Sequence, residues 1–303
     1  MMKKHYKFIL GIVIGLIISG VVGYAQTVLT SKEVVYDNTN SKLSSTNVKD
    51  AIDEVNTKAT KKVEEAKKEC PDGYVCRVNQ FARDSWATIA ANVKAGNAGA
   101  YQVGDTKEID MGSLGTHTVR VANTSSCTNG ETSETACGFV VEFADIISRH
   151  AMNSTDTNVG GWPASEMRTY VNGTIYNALP SDLQGVIIST KVISSHGKTS
   201  GETNFTSSDK LYLLSIKEVW NDGTGYATAE AETKQLDYYK SKGVTPQNAS
   251  EAIKQYNGSA YWWWLRGATT SFTDTFYRVS NLGEWSSNYA SYTRGVSPAF
   301  RIA

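Results

Sequence analysis

Three kinds of hydrophobic pattern follow one another along the chain. Residues 8–22 form an apolar run behind Lys3, Lys4 and Lys7, and Gly23-Tyr24-Ala25 closes it with small residues. A basic start, an apolar run and a small-residue exit describe a secretory leader cut after Ala25. Residues 8–25 are also close to the ~20 that span a bilayer. Residues 1–25 therefore read equally well as a signal peptide or as a retained membrane anchor, with everything after them facing outward. Residues 26–47 are rich in Ser, Thr, Asn and Val. Then Val48, Ile52, Val55 and Ala59 recur at spacings of four, three and four, which predicts a helix with a nearly heptad seam. Val63 and Ala66 continue it loosely, and Lys62 occupies the next seam position. Two repeats permit at most a weak homo-oligomer through residues 48–66. Cys70-Pro71-Asp72-Gly73 must end this helix, because Pro stops it and Asp-Gly is a turn pair. The expected organisation is thus a leader (1–25), a linker and helical stalk (26–73), and a head (74–303).

Within the head the pattern is shorter and mixed. It predicts strands at 119–121, 138–143, 186–194 and 210–214, and helices at 145–150, 165–171, 181–183 and 232–239. Pro163-Ala164-Ser165-Glu166 and Leu179-Pro180-Ser181-Asp182 suit helix starts. Strands mixed with short helices, without regular βαβ alternation, predict an α+β fold. Asn281-Leu282-Gly283 is the expected turn of a C-terminal hairpin.

Composition narrows the function classes. The head's length, about 230 residues, suffices for a sizeable core. Thirty basic and thirty acidic residues give zero net charge, so nothing points to nucleic acid. The four cysteines fall into two local pairs, Cys70 with Cys76 and Cys127 with Cys137. In an exported protein these read as two small disulfide loops. A four-cysteine zinc site, against which both spacings speak, and free buried thiols are the alternatives.

The richest segment is 260–303. Tyr261-Trp262-Trp263-Trp264-Leu265-Arg266 opens it and Gly295-Val296-Ser297-Pro298-Ala299-Phe300-Arg301-Ile302 closes it. Small polar and aromatic residues lie between. Tyr supplies contact area at low entropy cost, and Ser and Asn supply adaptable hydrogen bonds. A catalytic site would instead need titratable groups held apart in pKa. The expected contact residues are Thr269, Thr273, Asp274, Tyr277, Glu284, Trp285, Ser287, Asn288, Tyr289, Tyr292 and Arg294. In a strand, Trp262 and Trp264 share one face and Trp263 takes the other, and at least one face belongs to the core. Trp162, Met167, Tyr170, Trp264, Leu265, Arg266, Pro298, Phe300 and Ile302 are the expected frame. The expectation is a ligand-binding protein, not an enzyme, with no cofactor and an extracellular protein or glycan as its partner.

Catalytic alternatives have weaker signals. His117, His150 and His196 are scattered and make no H-E-x-x-H pattern. Asp84-Ser85 and Ser207-Ser208-Asp209 lack a G-x-S-x-G elbow, and Ser208-Asp209 suits a turn into the strand at Leu211. Glu142, Asp145, Glu166 and Glu218 show no pairing of the kind glycoside hydrolysis needs. Glu166 and Arg168 are expected to make buried or half-buried structural contacts. Asp209, Asn221-Asp222 and Asp274 are unpatterned as calcium ligands. Gly160-Gly161-Trp162-Pro163 reads as a tight turn that tucks Trp162 inward.

Taken in order, Trp86-Ala87-Thr88-Ile89, Gly104-Asp105, Val119-Arg120-Val121, Gly138-Phe139-Val140, Gly160-Gly161-Trp162, Ser165-Glu166-Met167-Arg168, the run from Ser208 to Ser215, Tyr261 to Arg266 and Gly295 to Ile302 carry a resemblance. It covers residues 86–302. They resemble a bacterial domain family of unknown function, common in exported and phage-like proteins of Gram-positive bacteria. That family is similar, in its C-terminal half, to the formylglycine-generating-enzyme-like branch of the C-type lectin fold. The closing motifs also look like the variable region of proteins diversified by retroelements. The resemblance implies a C-type-lectin-like head whose residues 269–294 form a diversified binding face. It departs from the catalytic branch, which uses a reactive cysteine pair late in the fold: no cysteine follows Cys137. An enzyme of that branch with an altered site, or a structural phage-tail component, are the other classes the resemblance allows.

Overall fold

The computed structural model describes residues 43–68, 78–220 and 232–303. It divides into two compact units, Met1–Arg77 and Val78–Ala303. The expected leader, the run 8–25, Cys70, Cys76 and the Cys70-Pro71-Asp72-Gly73 turn lie outside the described residues. Among the described residues no helix is long and apolar enough to cross a membrane.

In the first unit a helix spans Val48–Lys68. Asn47 opens it by accepting the Asp50 N–H on its side-chain oxygen at 3.0 Å, which satisfies one orphan donor of the first turn. Lys49–Asp53 and Lys58–Glu54 pair at i,i+4, an exposed arrangement of small energetic weight. Ile52 and Val55, on the apolar seam, are 40 % and 49 % exposed.

The second unit mixes helices and sheets, as an α+β fold requires. Its first sheet has the order β1 (Thr106–Asp110), β2 (Thr116–Asn123), β3 (Val140–Phe143), β15 (Pro298–Ile302) and β5 (Ile187–Ile188), with β8 (Tyr212–Leu213) also pairing β15. All its pairings are antiparallel. The second sheet has the order β13 (Trp285–Tyr289), β12 (Thr275–Val279), β11 (Trp263–Ala268), β14 (Arg294–Val296) and β4 (Ser148–His150), in which β11 and β14 run parallel. Two hairpins complete the set, β6 (Thr190–Ser194) with β7 (Phe205–Asp209) and β9 (Lys254–Tyr256) with β10 (Ser259–Tyr261). The β9–β10 turn is Asn257-Gly258, both at positive φ, as a type I′ hairpin demands.

The closing segment belongs to both sheets. β14 lies in one, β15 in the other, and Ser297 alone separates them. Ser297 Oγ donates to the Phe143 carbonyl at 3.1 Å and accepts from Lys254 Nζ at 2.8 Å. Gly295 sits where β14 meets β11; a Cβ there would lie 2.6 Å from Ile146 Cδ1 and 2.9 Å from the Trp262 carbonyl. No other residue type fits that approach without displacing β14.

Two buried ionic groups tie these layers together. Arg266, on β11, makes a fork–fork pair with Glu218: Nη1 to Oε2 at 2.6 Å and Nη2 to Oε1 at 2.7 Å. Its remaining donors reach the carbonyls of Ile193 at 3.0 Å and Leu213 at 2.9 Å, and Thr135 Oγ1 at 3.3 Å. Glu218 in turn belongs to a capping box with Ser215. The second group centres on Glu142, which accepts from Arg120 Nε at 2.9 Å, Lys254 Nζ at 2.7 Å and the Tyr239 hydroxyl at 3.0 Å. Burial pushes the Glu142 carboxyl up, but Arg120 and Lys254 outweigh it and hold the group below its ordinary value. Burial also pulls Lys254 down, against Glu142, to about 8.

Several expected elements need correction. The helix at 145–150 is not formed. Ile146 N–H donates to Gln255 and Ile147 N–H to Val296, so the backbone groups a helix would use locally are spent on distant strands. The chain instead enters β4. The helix at 232–239 is a shorter one, Asp237–Ser241, because the Leu236 N–H goes to the Glu218 carbonyl. Glu166 is exposed, bonding Ser154 Oγ at 2.5 Å, whereas Arg168 is half-buried against Asp209 at 2.6 Å. The helix holding them spans Glu166–Tyr170, with Ser165 as its cap. The expected disulfide between Cys127 and Cys137 is present.

Arg266→Ala leaves Glu218 charged and buried without its partner. Such a break costs ~3–5 kcal/mol. Arg266→Lys is expected to cost much of the same, because an ammonium cannot make the fork. Urea denaturation midpoints of the two variants check this.

Candidate functional site

β12 lies inside its sheet, and side chains on both of its faces are covered. Thr275, Phe276, Tyr277 and Val279 are buried, and only Arg278 is half-exposed. Arg278 pairs in register with Ser286 of β13 and Trp264 of β11. Trp262 immediately precedes β11, so by alternation it lies on the Trp264 side. Trp264 is buried by its contacts there, its Nε1 donating to the His150 carbonyl at 3.0 Å, and Trp263 is buried on the other side, its Nε1 reaching the Ala252 carbonyl at 3.0 Å. Both faces of β11 are therefore core, and Trp262, at its mouth, is the partly exposed member of the triplet.

Trp262 is the hub of a chain of ring and guanidinium contacts. Arg278 and Arg294 lie 5.7 and 5.5 Å from the centre of its ring, within cation–π range. Arg294 also lies 5.4 Å from the Tyr292 ring, and Tyr292 lies 5.7 Å from Tyr289. In the other direction Tyr261 meets Trp262 edge-on at 5.5 Å, Tyr256 lies 6.1 Å from Tyr261, and Arg149 stands 5.1 and 5.8 Å from those two tyrosines. Tyr289 and Tyr292 are 46 % and 47 % exposed. Hydrogen bonds to Tyr261 and then Tyr256 raise the Arg149 pKa. Burial, and then the nearby Arg294 charge, lower that of Arg278.

This surface borders a second feature. Arg294 pairs in register with His150 of β4, and the His150 ring stacks on Tyr170 at 4.2 Å. Its Nδ1 faces the Ala151 carbonyl at 2.6 Å. His150, Tyr170, Glu166, Thr169, Thr174 and Asn177 line an open cleft of about 540 Å³. A π-helical stretch, Val171–Ile175, forms part of its wall.

The expected contact residues divide unequally. Tyr289, Tyr292 and Arg294 come together on the Trp262 surface, and the Ser287 carbonyl holds Arg278 Nε at 3.2 Å. Asn288 is half-buried, its Oδ1 accepting the Tyr289 N–H at 2.9 Å. Trp285 is half-buried and packs on the core. Thr273 and Asp274 sit elsewhere, with Lys198 and Phe272 around another shallow depression. Glu284 is exposed at the β12–β13 turn. Two expectations are overturned. Thr269 is buried, its N–H bonded to the Thr275 carbonyl, and Tyr277 is 1 % exposed. Tyr277 points into the core because β12 is covered on both faces.

Arg149, Tyr256, Tyr261, Trp262 and Arg278 were not among the expected contacts. Alternation grouped Trp262 with Trp264 on one face and did not single out Trp262. No sequence signal marks the arginines as neighbours, because they come from three strands. Among the described residues no group of three His, Cys, Asp or Glu side chains is arranged to hold a metal ion.

A family model described as a domain of unknown function (DUF6273) matches residues 140–303, more than half of the chain. No curated protein and no solved structure matches it. The matched segment starts at β3 and contains every residue of the Trp262 surface.

Tyr277→Ala removes a buried ring and is expected to cost ~3–5 kcal/mol. Tyr289→Ala and Tyr292→Ala remove exposed rings and should stay within about 0.5 kcal/mol of the parent. Thermal melting of the three variants separates these outcomes.

Proposed function

We propose, from the premise that this chain belongs to the DUF6273 family of domains of unknown function, that its head is a recognition module. The observation that carries this reading is the connected run of tyrosines, Trp262 and arginines around the β14 end of the second sheet, with Tyr289 and Tyr292 open to solvent. Trp, Tyr and Arg are the residues in which interface energy concentrates. They stand on a frame of buried strands, so little ordering entropy is left to lose on binding. The ligand in this reading is external. The leader-like residues 1–25 export or anchor the chain, and helix Val48–Lys68 serves as a stalk. A C-type-lectin-like fold for the head is part of the same proposal and rests on sequence resemblance.

The resemblance to retroelement-diversified proteins extends the reading to variation at positions that are not buried, such as Ser286, Asn288, Tyr289, Tyr292 and Thr293, while the buried frame stays constant. Its expected genomic mark is a nearby copy of codons 260–303 differing mainly at adenines, beside a reverse-transcriptase gene. A locus lacking both rejects diversification and leaves recognition standing.

Recognition itself is tested by applying the full chain to a combined peptide and glycan array, together with protease shaving of intact cells. The expected result is retention on a subset of array features, lost on replacing Trp262, Tyr289 and Tyr292 by Ala with melting little changed, and release of the head by external protease. Retention that is indifferent to those three replacements would place the binding surface elsewhere.

A further inference from the structure

Across the head, half-buried and buried arginines meet acids. Arg120 pairs with Glu142, Arg168 with Asp209, Arg266 with Glu218 and Arg301 with Glu134. Arg278 and Arg294 break this rule. Both are half-buried, and among the described residues neither has a carboxylate partner. Their contacts are to neutral groups: Arg278 Nε to the Ser287 carbonyl at 3.2 Å, Arg294 Nη1 to the Thr293 carbonyl at 3.0 Å, and the Trp262 ring. Arg294 Nε is buried with no hydrogen-bond partner. Both guanidiniums stand near one indole, and the repulsion between them is felt at Arg278. Two partly desolvated like charges with spare donors form a site whose missing member is an anion, and a guanidinium fork matches a carboxylate best.

The surroundings favour a protein as the bearer of that carboxylate. Trp262 already has two guanidiniums and the Tyr261 edge against it, which leaves a sugar ring little indole surface for stacking. β13 is an outer strand of its sheet. An extended segment can therefore enter over this outer strand and cross the face toward β12 and β11, where its side chains meet Tyr289, Tyr292 and the arginines. We propose that this surface takes an acidic peptide segment of a partner protein, one carboxylate of which is seated between Arg278 and Arg294 beside Trp262. The inference rests on the reading of this surface as a recognition site and adds the chemistry of what it recognises.

The experiment uses the full chain on immobilised short peptides of equal aromatic content, carrying either Asp/Glu, the corresponding amides, or Lys. Immobilised polygalacturonate serves as a carboxylate source without peptide. Acidic peptides should be retained at least about tenfold more tightly than their amide counterparts, since one charge-assisted fork is worth about that factor. The preference should shrink as salt rises from about 50 to 300 mM. Arg278→Gln with Arg294→Gln should remove the preference while melting stays near the parent, and Tyr289→Ala with Tyr292→Ala should weaken acidic and amide peptides alike. Equal retention of acidic and amide peptides, an acid preference that survives the two Gln replacements, or binding to polygalacturonate with none to acidic peptides would each overturn the proposal. The first of these, with retention still dependent on Tyr289 and Tyr292, would leave the recognition reading intact. No retention on any peptide overturns the proposal as well.

Discussion

The buried fork between Arg266 and Glu218 is the interaction on which the head's architecture turns. Arg266 comes from β11 in the middle of the second sheet, and its other donors reach carbonyls next to or within β6 and β8. One side chain thus fixes the position of the second sheet against β8 of the first. A charge pair buried to this depth stabilises little by itself, since desolvation consumes most of its attraction. Its effect is specificity: any arrangement that moves β11 leaves an ion stranded. The Glu142 group acts in the same way around Lys254 and Ser297, where the chain passes from one sheet to the other. Between them the two groups hold the strands from which Trp262 and Arg294 emerge.

The Trp262 surface is then a by-product of where covered strands end. β11, β12 and β14 are mostly buried along their length. Trp262, just before β11, and Arg294, at the start of β14, stand where that cover stops. Gly295 lets β14 approach β11 closely enough for Arg294 and Trp262 to meet. The rigid part of the site is therefore inherited from the core, and the end of β13 and the turn that follows it supply Tyr289 and Tyr292, which reach solvent.

Much of the architecture was legible in the residues. The strands near 119–121, 138–143 and 210–214, the Ser165-capped helix, the inward Trp162 and the buried frame of Trp264, Leu265, Phe300 and Ile302 follow from short-range pattern, while the burial of Arg266 was expected but its cause, Glu218, is distant. What was not legible depends on distant neighbours. Residues 145–150 carry a helical composition, yet their donors are claimed by Gln255 and Val296. Tyr277 belongs to a polar, tyrosine-rich stretch that suggests a surface, but a central strand covered on both faces erases that distinction. The gathering of Arg149, Arg278 and Arg294 around Trp262 and Tyr261 needs three strands in register. A linear reading sees three unrelated basic residues, and the absence of an acid beside two of them becomes visible only when every other half-buried arginine is seen to have one.

The place of β15 has a bearing on how such a molecule is made. It runs through the heart of the first sheet, between β3 on one side and β5 and β8 on the other, although it is drawn from residues 298–302. Strands synthesised much earlier thus have no neighbour on one edge until this stretch arrives. A nascent head stalled before it would expose raw sheet margins inviting association with other chains. The first sheet therefore closes only when residues 298–302 have joined β3, β5 and β8, and every earlier strand waits on that one insertion.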